Sequence, residues 1–192
     1  MEVTLFENIR RQVFLTEDQQ VLLENYFQPK SLKKKHYLLQ EGEVNLGLAF
    51  VTSGILRSFT IDSNGFEHVL QFAPADWWMA DMYSLTRQEP ARLFIEALEP
   101  TEYLWITKPQ LDEAFEQIPA LERHFRILAE NAVIAYQNRI IGNLSQPAIE
   151  RYAAFCQQYP TLIQCLPQKQ IASFIGVTPE FFSKMINTIP MH

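Results

Sequence analysis

The chain has 192 residues, of which 47% are hydrophobic and 20% charged, with a formal net charge of -6. That composition supplies a sizeable core, and the length fits one large or two small domains. No run approaches the ~18 consecutive apolar residues of a membrane span, and an acidic balance excludes a protein that holds polyanions by bulk charge alone.

The N-terminal stretch MEVTLFENIRRQVFLTEDQQ is charged from residue 2 and has no apolar signal core, so a cytoplasmic protein is expected. Leu5, Ile9 and Val13, then Val21, Leu22, Tyr26 and Phe27, recur at helical spacing and predict helices over residues 4–29. Thr16 followed by Gln19 predicts a capping box between them. Lys33-Lys34-Lys35 reads as a solvated turn, with a nucleic-acid patch as the alternative.

From His36 to Ile106 the pattern changes to short strands: 37–39, 48–51, 55–61, 68–72, 94–98 and 102–106. Turn residues separate them, and Asn64-Gly65 is the strongest hairpin signal. Turns spaced in this way predict an antiparallel barrel or roll. Helix returns over residues 108–143. Within it Leu121, Phe125, Leu128, Ala132, Ala135 and Arg139 step by 4, 3, 4, 3 and 4, a seam suited to helix–helix dimerisation. Gly142-Asn-Leu-Ser-Gln-Pro147 predicts a break and a hinge. The fold class is therefore α+β, with a roll domain over 1–142 and a helical domain over 143–192. Cys156 and Cys165 form no CxxC and read as plain buried residues.

The last 50 residues carry a formal +1 and the rest of the chain -7, so the acid lies away from this end. In QKQIASFIGVTPEFFSKM (residues 168–185), Ala172 is small where two helices would cross. Gly176 permits a positive φ in the turn, and Thr178-Pro179 opens the next helix with an N-cap and an N1 proline. Ile171, Ile175, Val177, Phe182 and Met185 fall where the two helices would knit together. That register is a helix-turn-helix with Thr178, Pro179, Glu180, Phe181, Lys184 and Asn187 outward; an αα-hairpin built for a core or a protein contact is the alternative. Lys184 could pair with guanine or phosphate, Glu180 with cytosine N4, and Phe181 with a thymine methyl. Thr178 and the helix N-terminus suit a phosphate. The face has no arginine, and residues 185–192 add no firm positive charge.

Helices, roll, long helix, hinge and helix-turn-helix in this order resemble the Crp/Fnr family of bacterial transcription regulators, over essentially the whole chain. The motifs that carry the resemblance are LLQEGE (38–43), VTSGILR (51–57), APADWW (73–78) and LPQKQIASFIGVTPE (166–180). The chain is most similar to the short Bacteroidetes-type branch, which implies a winged-helix-like head with little or no wing. The family implies a homodimer that reads an inverted-repeat DNA operator, with RNA polymerase as a further partner and a roll that senses a small molecule.

In cyclic-nucleotide-binding members a Gly-Glu-Leu-Ala-like turn and an Arg-Ser/Thr-Ala segment hold the ligand. Here Asp81 falls near the glutamate and Arg92 matches the arginine, whereas Ala80 and Leu93 replace the glycine and the hydroxyl. The resemblance implies a pocket drawn from Asp81, Met82, Arg92, Leu93, Tyr136 and Gln137, with Trp77, Trp78 and Tyr83 nearby. Loss of close backbone approach and of a phosphate contact predicts altered or lost specificity. A small-molecule effector is compatible, but cyclic AMP is not the expected one. No metal cluster, P-loop or nucleophile–base motif is present in the sequence, so no catalytic residue is assigned and an enzyme is not expected.

Overall fold

Two threonines start the first two helices by the same device. Thr4 Oγ1 accepts from Glu7 N at 3.2 Å and Thr16 Oγ1 from Gln19 N at 3.3 Å, and both N3 side chains bond back to the cap N–H. They open α1 (Leu5–Arg10) and α2 (Glu17–Glu24) of the computed structural model, which describes residues 4–188. Helix does not extend to residue 29. Gln28–Leu32 is instead strand β1, paired antiparallel with β8 (Thr101–Thr107). Pro29 cannot continue a helix, and an edge strand tolerates its missing N–H.

The roll is two four-stranded sheets, ordered β1-β8-β3-β6 and β2-β7-β4-β5. Their other strands are β2 (Tyr37–Leu39), β3 (Gly47–Ser53), β4 (Ile55–Ile61), β5 (Glu67–Pro74), β6 (Trp78–Met79) and β7 (Phe94–Ala97). Leu39, Val51, Leu56, Ile95 and Tyr103 form one buried cluster. A second joins α1, α2 and the following helices to β3 and β8 through Ile9, Leu23, Phe50, Ile106, Ile118 and Leu121. Asn64-Gly65 turns the β4–β5 hairpin: Gly65 takes φ 81°, and Asp62 Oδ1 accepts from Asn64 N and Phe66 N at 2.8 and 3.0 Å. The lysine turn at 33–35 is exposed.

Pro119 divides the next helix into α4 (Lys108–Gln117) and α5 (Ala120–Ser145). The break expected within Gly142–Pro147 falls at the end of that segment: α5 runs through Gly142 and stops at Ser145, because Pro147 removes the N–H the next turn needs. α6 (Ala148–Gln158), α7 (Gln168–Ile175) and α8 (Pro179–Asn187) follow. Two compact units result. The roll unit runs to Thr60 and from Gln71 to Ala129; the helical unit takes Ile61–Leu70 and everything from Glu130. Cys156 is only half-buried and Cys165 is exposed, correcting the expectation that both are core residues. Among the described residues no helix is long and apolar enough to cross a membrane.

Candidate nucleic-acid interface

The helical unit is held by aromatic side chains. Phe155, Tyr159 and Phe174 have ring centroids 5.3–5.6 Å apart, and Tyr152 meets the buried Phe182 edge-on at 5.2 Å. On this base α7 packs against α8, and Ala172 of α7 is fully buried. Gly176 ends α7 at φ 71°, ψ 43°, and the N–H of Val177 reaches back to Ala172 O at 3.0 Å. A β-carbon disfavours that left-handed cap, which is why glycine stands there. Thr178 Oγ1 then accepts from Phe181 N at 3.2 Å and starts α8.

Ile171, Ile175 and Phe182 are buried, while Val177 and Met185 are half-buried rather than core. Thr178, Pro179, Glu180, Phe181, Lys184 and Asn187 are all exposed, so the structure brings the sequence-predicted residues onto one surface. Phe181 keeps 53% of its surface. Among the described residues Lys184 is in no ion pair. Chemically the face offers a helix N-terminus with N–H groups, one ammonium, one carboxylate and one aromatic ring. The expected small or absent wing would lie beyond Thr188, outside the described residues, as do residues 189–192.

Two further side chains position this head: Ser173, given no role from the sequence, and Arg139, expected from the sequence in the dimer seam. Ser173 on α7 donates its hydroxyl to Glu67 O at 2.7 Å and accepts from Val69 N at 2.9 Å. β5 is an edge strand, and the serine occupies backbone groups that would otherwise face water. Arg139 of α5 donates to Leu70 O, Val69 O and Phe174 O at 2.6, 2.7 and 2.8 Å, with its guanidinium 4.1 Å from the Phe174 ring centre. Both contacts join residues far apart in the chain, so no local pattern signals them.

Of the pocket residues inferred from the resemblance, Asp81, Arg92 and Leu93 of the roll unit are engaged with the protein's own structure. Asp81 is buried and caps α3 (Met82–Arg87), accepting from Ser84 N at 3.1 Å and from Arg92 N at 3.4 Å. The Arg92 side chain is exposed; it donates to Tyr83 Oη at 3.0 Å and lies over that ring at 4.2 Å. Tyr83 donates in turn to Glu89, and this bond raises its pKa. Leu93 packs against the roll core, Met82 is exposed, and Tyr136 and Gln137 are exposed on α5. Trp78 points to the core, 5.0 Å from Phe50 and 5.1 Å from Phe125. A buried ion pair of the roll lies elsewhere. Arg57 and Glu96 face each other across β4 and β7, with Nε and Nη2 donating to Oε2 at 2.8 and 2.6 Å.

The dimer seam also needs correction. Leu121 is buried, and Phe125, half-buried, packs on Trp78 and Phe115, so both belong to the roll core. Arg139, in the same helical row, is the clamp described above. Leu128 is half-buried, and Ala132 and Ala135 are exposed. A different set of large apolar side chains stands exposed on α5: Val133, Ile134, Ile140, Ile141 and Leu144.

Residues 29–118 match the cyclic nucleotide-binding domain family. The chain is 26% identical over 169 residues to the anaerobic regulatory protein of Aggregatibacter actinomycetemcomitans, covering 82% of this chain and 65% of that one. It is 29% identical over 180 residues to the transcriptional activator protein anr of Pseudomonas aeruginosa, covering 88% and 73%. A solved structure of a Crp/Fnr-family regulator from Eubacterium rectale superposes with a TM-score of 0.70 at 17% identity, over 90% of this chain and 82% of that one. The first is named as a regulatory protein and the second as a transcriptional activator, neither as an enzyme. With a cyclic-nucleotide-domain roll, this order of helices and these relatives, the chain is similar to the Crp/Fnr family of transcription regulators, and it spans just under two thirds of the anaerobic regulatory protein it matches.

Proposed function

We propose that this chain is a homodimeric, sequence-specific DNA-binding regulator whose roll has altered or lost the family's ligand specificity. The functional division is a sensor over residues 1–142 and a head over 143–192, acting in the cytoplasm, with RNA polymerase as a further partner. The observation that carries this reading is the head itself: a glycine turn, a capped second helix and six outward polar or flat side chains in one register. Dimerisation is supported by the exposed apolar row on α5, which water disfavours unless a partner covers it. A protein-contact role for the head is the competing reading, favoured by the exposed Phe181 and the single ammonium of α8.

Few cations on the face mean few displaced counterions, so affinity should fall gently with salt, below the dependence given by roughly 6–10 phosphate contacts. Lys184→Ala should cost about 1–3 kcal/mol of DNA affinity and relax preference at one base position, if it reads guanine. Binding curves on single-base operator variants check this; an unchanged profile would favour the protein-contact reading.

For the sensor, Ala80 and Leu93 replace the residues that cradle a phosphate, and Asp81 is spent on a helix cap. Cyclic AMP should therefore bind no tighter than about millimolar, ~4 kcal/mol. Calorimetry giving micromolar affinity that Arg92→Ala abolishes would overturn this part of the reading.

A further inference from the structure

The helical unit contains a cleft of ≈ 600 Å³ between the second half of α5, α6 and the end of α7. Its volume suits a metabolite-sized ligand, for which roughly 300–1,000 Å³ is usual. Two arginines line it, Arg139 and Arg151, with no aspartate or glutamate among the lining residues. Neither arginine is in an ion pair among the described residues. Their Nη atoms lie on backbone carbonyls: Arg139 on those named above, Arg151 on Asn143 O at 3.5 Å and Gln146 O at 3.3 Å. The Nε–H of each is buried with no acceptor among the described residues.

Backbone carbonyls are neutral dipoles, and even with roughly half a negative charge at each of the C-terminal ends of α5 and α7, about one of the two positive charges stays unbalanced. Carboxamides, among them Asn138 and Gln158, supply further donors and acceptors around the cleft, and Phe155 and Phe174 form an apolar wall. A desolvated donor beside unbalanced positive charge is costly unless an anion meets it. We infer that this cleft binds a small organic anion, a carboxylate or phosphate carried on a ring or apolar body. The ligand would lie against Arg139, the residue that ties α5 to the hairpin and to α7. Occupancy would then set how the head is held, and that consequence, though not the binding itself, rests on the proposed DNA-binding function.

The test is calorimetry on the full chain with inorganic phosphate, citrate and AMP as probes. At least one should bind saturably below about 1 mM. Arg151→Gln should weaken it by about tenfold or more, as loss of a charge-assisted contact does. Arg151 also caps a helix end, so Ala154→Trp is the companion variant: it fills the cleft from an exposed position and removes no hydrogen bond. Arg92→Gln, on the roll surface, should leave binding unchanged. No saturable binding of any probe up to about 10 mM overturns the proposal. So does binding that survives both cleft variants or disappears in Arg92→Gln. None of these readouts uses DNA, so failure of the DNA-binding reading is distinguishable from failure of this one.

Discussion

Leu144→Asp should turn a stable dimer into a monomer at micromolar concentration. Leu144 is 83% exposed, and Val133 and Ile140 stand in its row of α5, with Ile134 and Ile141 flanking. Gln137 occupies the remaining position of that row, so one polar group interrupts an otherwise apolar seam. Burying a carboxylate there without a partner should cost several kcal/mol, at least about 3, which is a rise in dissociation constant of a hundredfold or more. Because Leu144 makes no core contact, the monomer should keep its fold and its cooperative melt. Phe125→Ala should do the opposite: it should lower the melting temperature by opening a cavity beside Trp78 and Phe115, and leave the dimer's sedimentation unaltered. Sedimentation velocity on both variants separates the two faces of α5. A native chain that stays monomeric at that concentration would remove the dimer from the account.

Acid should destabilise the protein through His124, in a window set by one side chain. His124 is fully buried beside Trp78 and Phe125, and neither ring nitrogen has a hydrogen-bond partner among the described residues. Desolvation lowers its pKa from 6.5 to about 4. The folded state thus holds the ring neutral, while the unfolded chain takes up a proton near pH 6.5. Stability from this residue is full above pH ~6.5, falls as pH drops towards about 4, and levels off below that, a loss of roughly 3 kcal/mol. His124→Leu removes the titrating group at similar volume. Its stability should exceed the wild type's increasingly between pH 6.5 and 4, and the gap should be smallest near neutrality. Urea melts across that range would show parallel curves if His124 carried no such linkage.

What could be read from the sequence was mostly local. The Thr16–Gln19 cap, the Asn64-Gly65 turn, the Gly176 stop and the Thr178-Pro179 start each depend on a few adjacent residues, and each folds as expected. Pairings across the chain were not legible. Arg57 and Glu96 meet only because β4 lies beside β7, and Ser173 finds Glu67 and Val69 only because α7 reaches the β5 edge. The long helix shows a further limit of periodicity. α5 has apolar side chains on two sides, and the 4-3 spacing of Leu121, Phe125 and Leu128 located a true stripe. Spacing tells which residues share a side, but not whether the chain's own core or a partner covers it. In the pocket region the departures at Ala80 and Leu93 were visible, but the commitment of Asp81 to a helix cap depends on the unforeseen α3.

If α8 reads DNA as one half of a symmetric pair, the DNA it selects carries that symmetry. Selection of double-stranded DNA from a random pool on the full chain at low salt tests it most directly. The expected product is an inverted repeat with half-sites about 34 Å apart, one helical turn, whose enrichment is lost in Leu144→Asp and relaxed at one position in Lys184→Ala. Pools that return no inverted repeat, with both variants behaving as the native chain does, would contradict it and leave the head as a protein-contact surface.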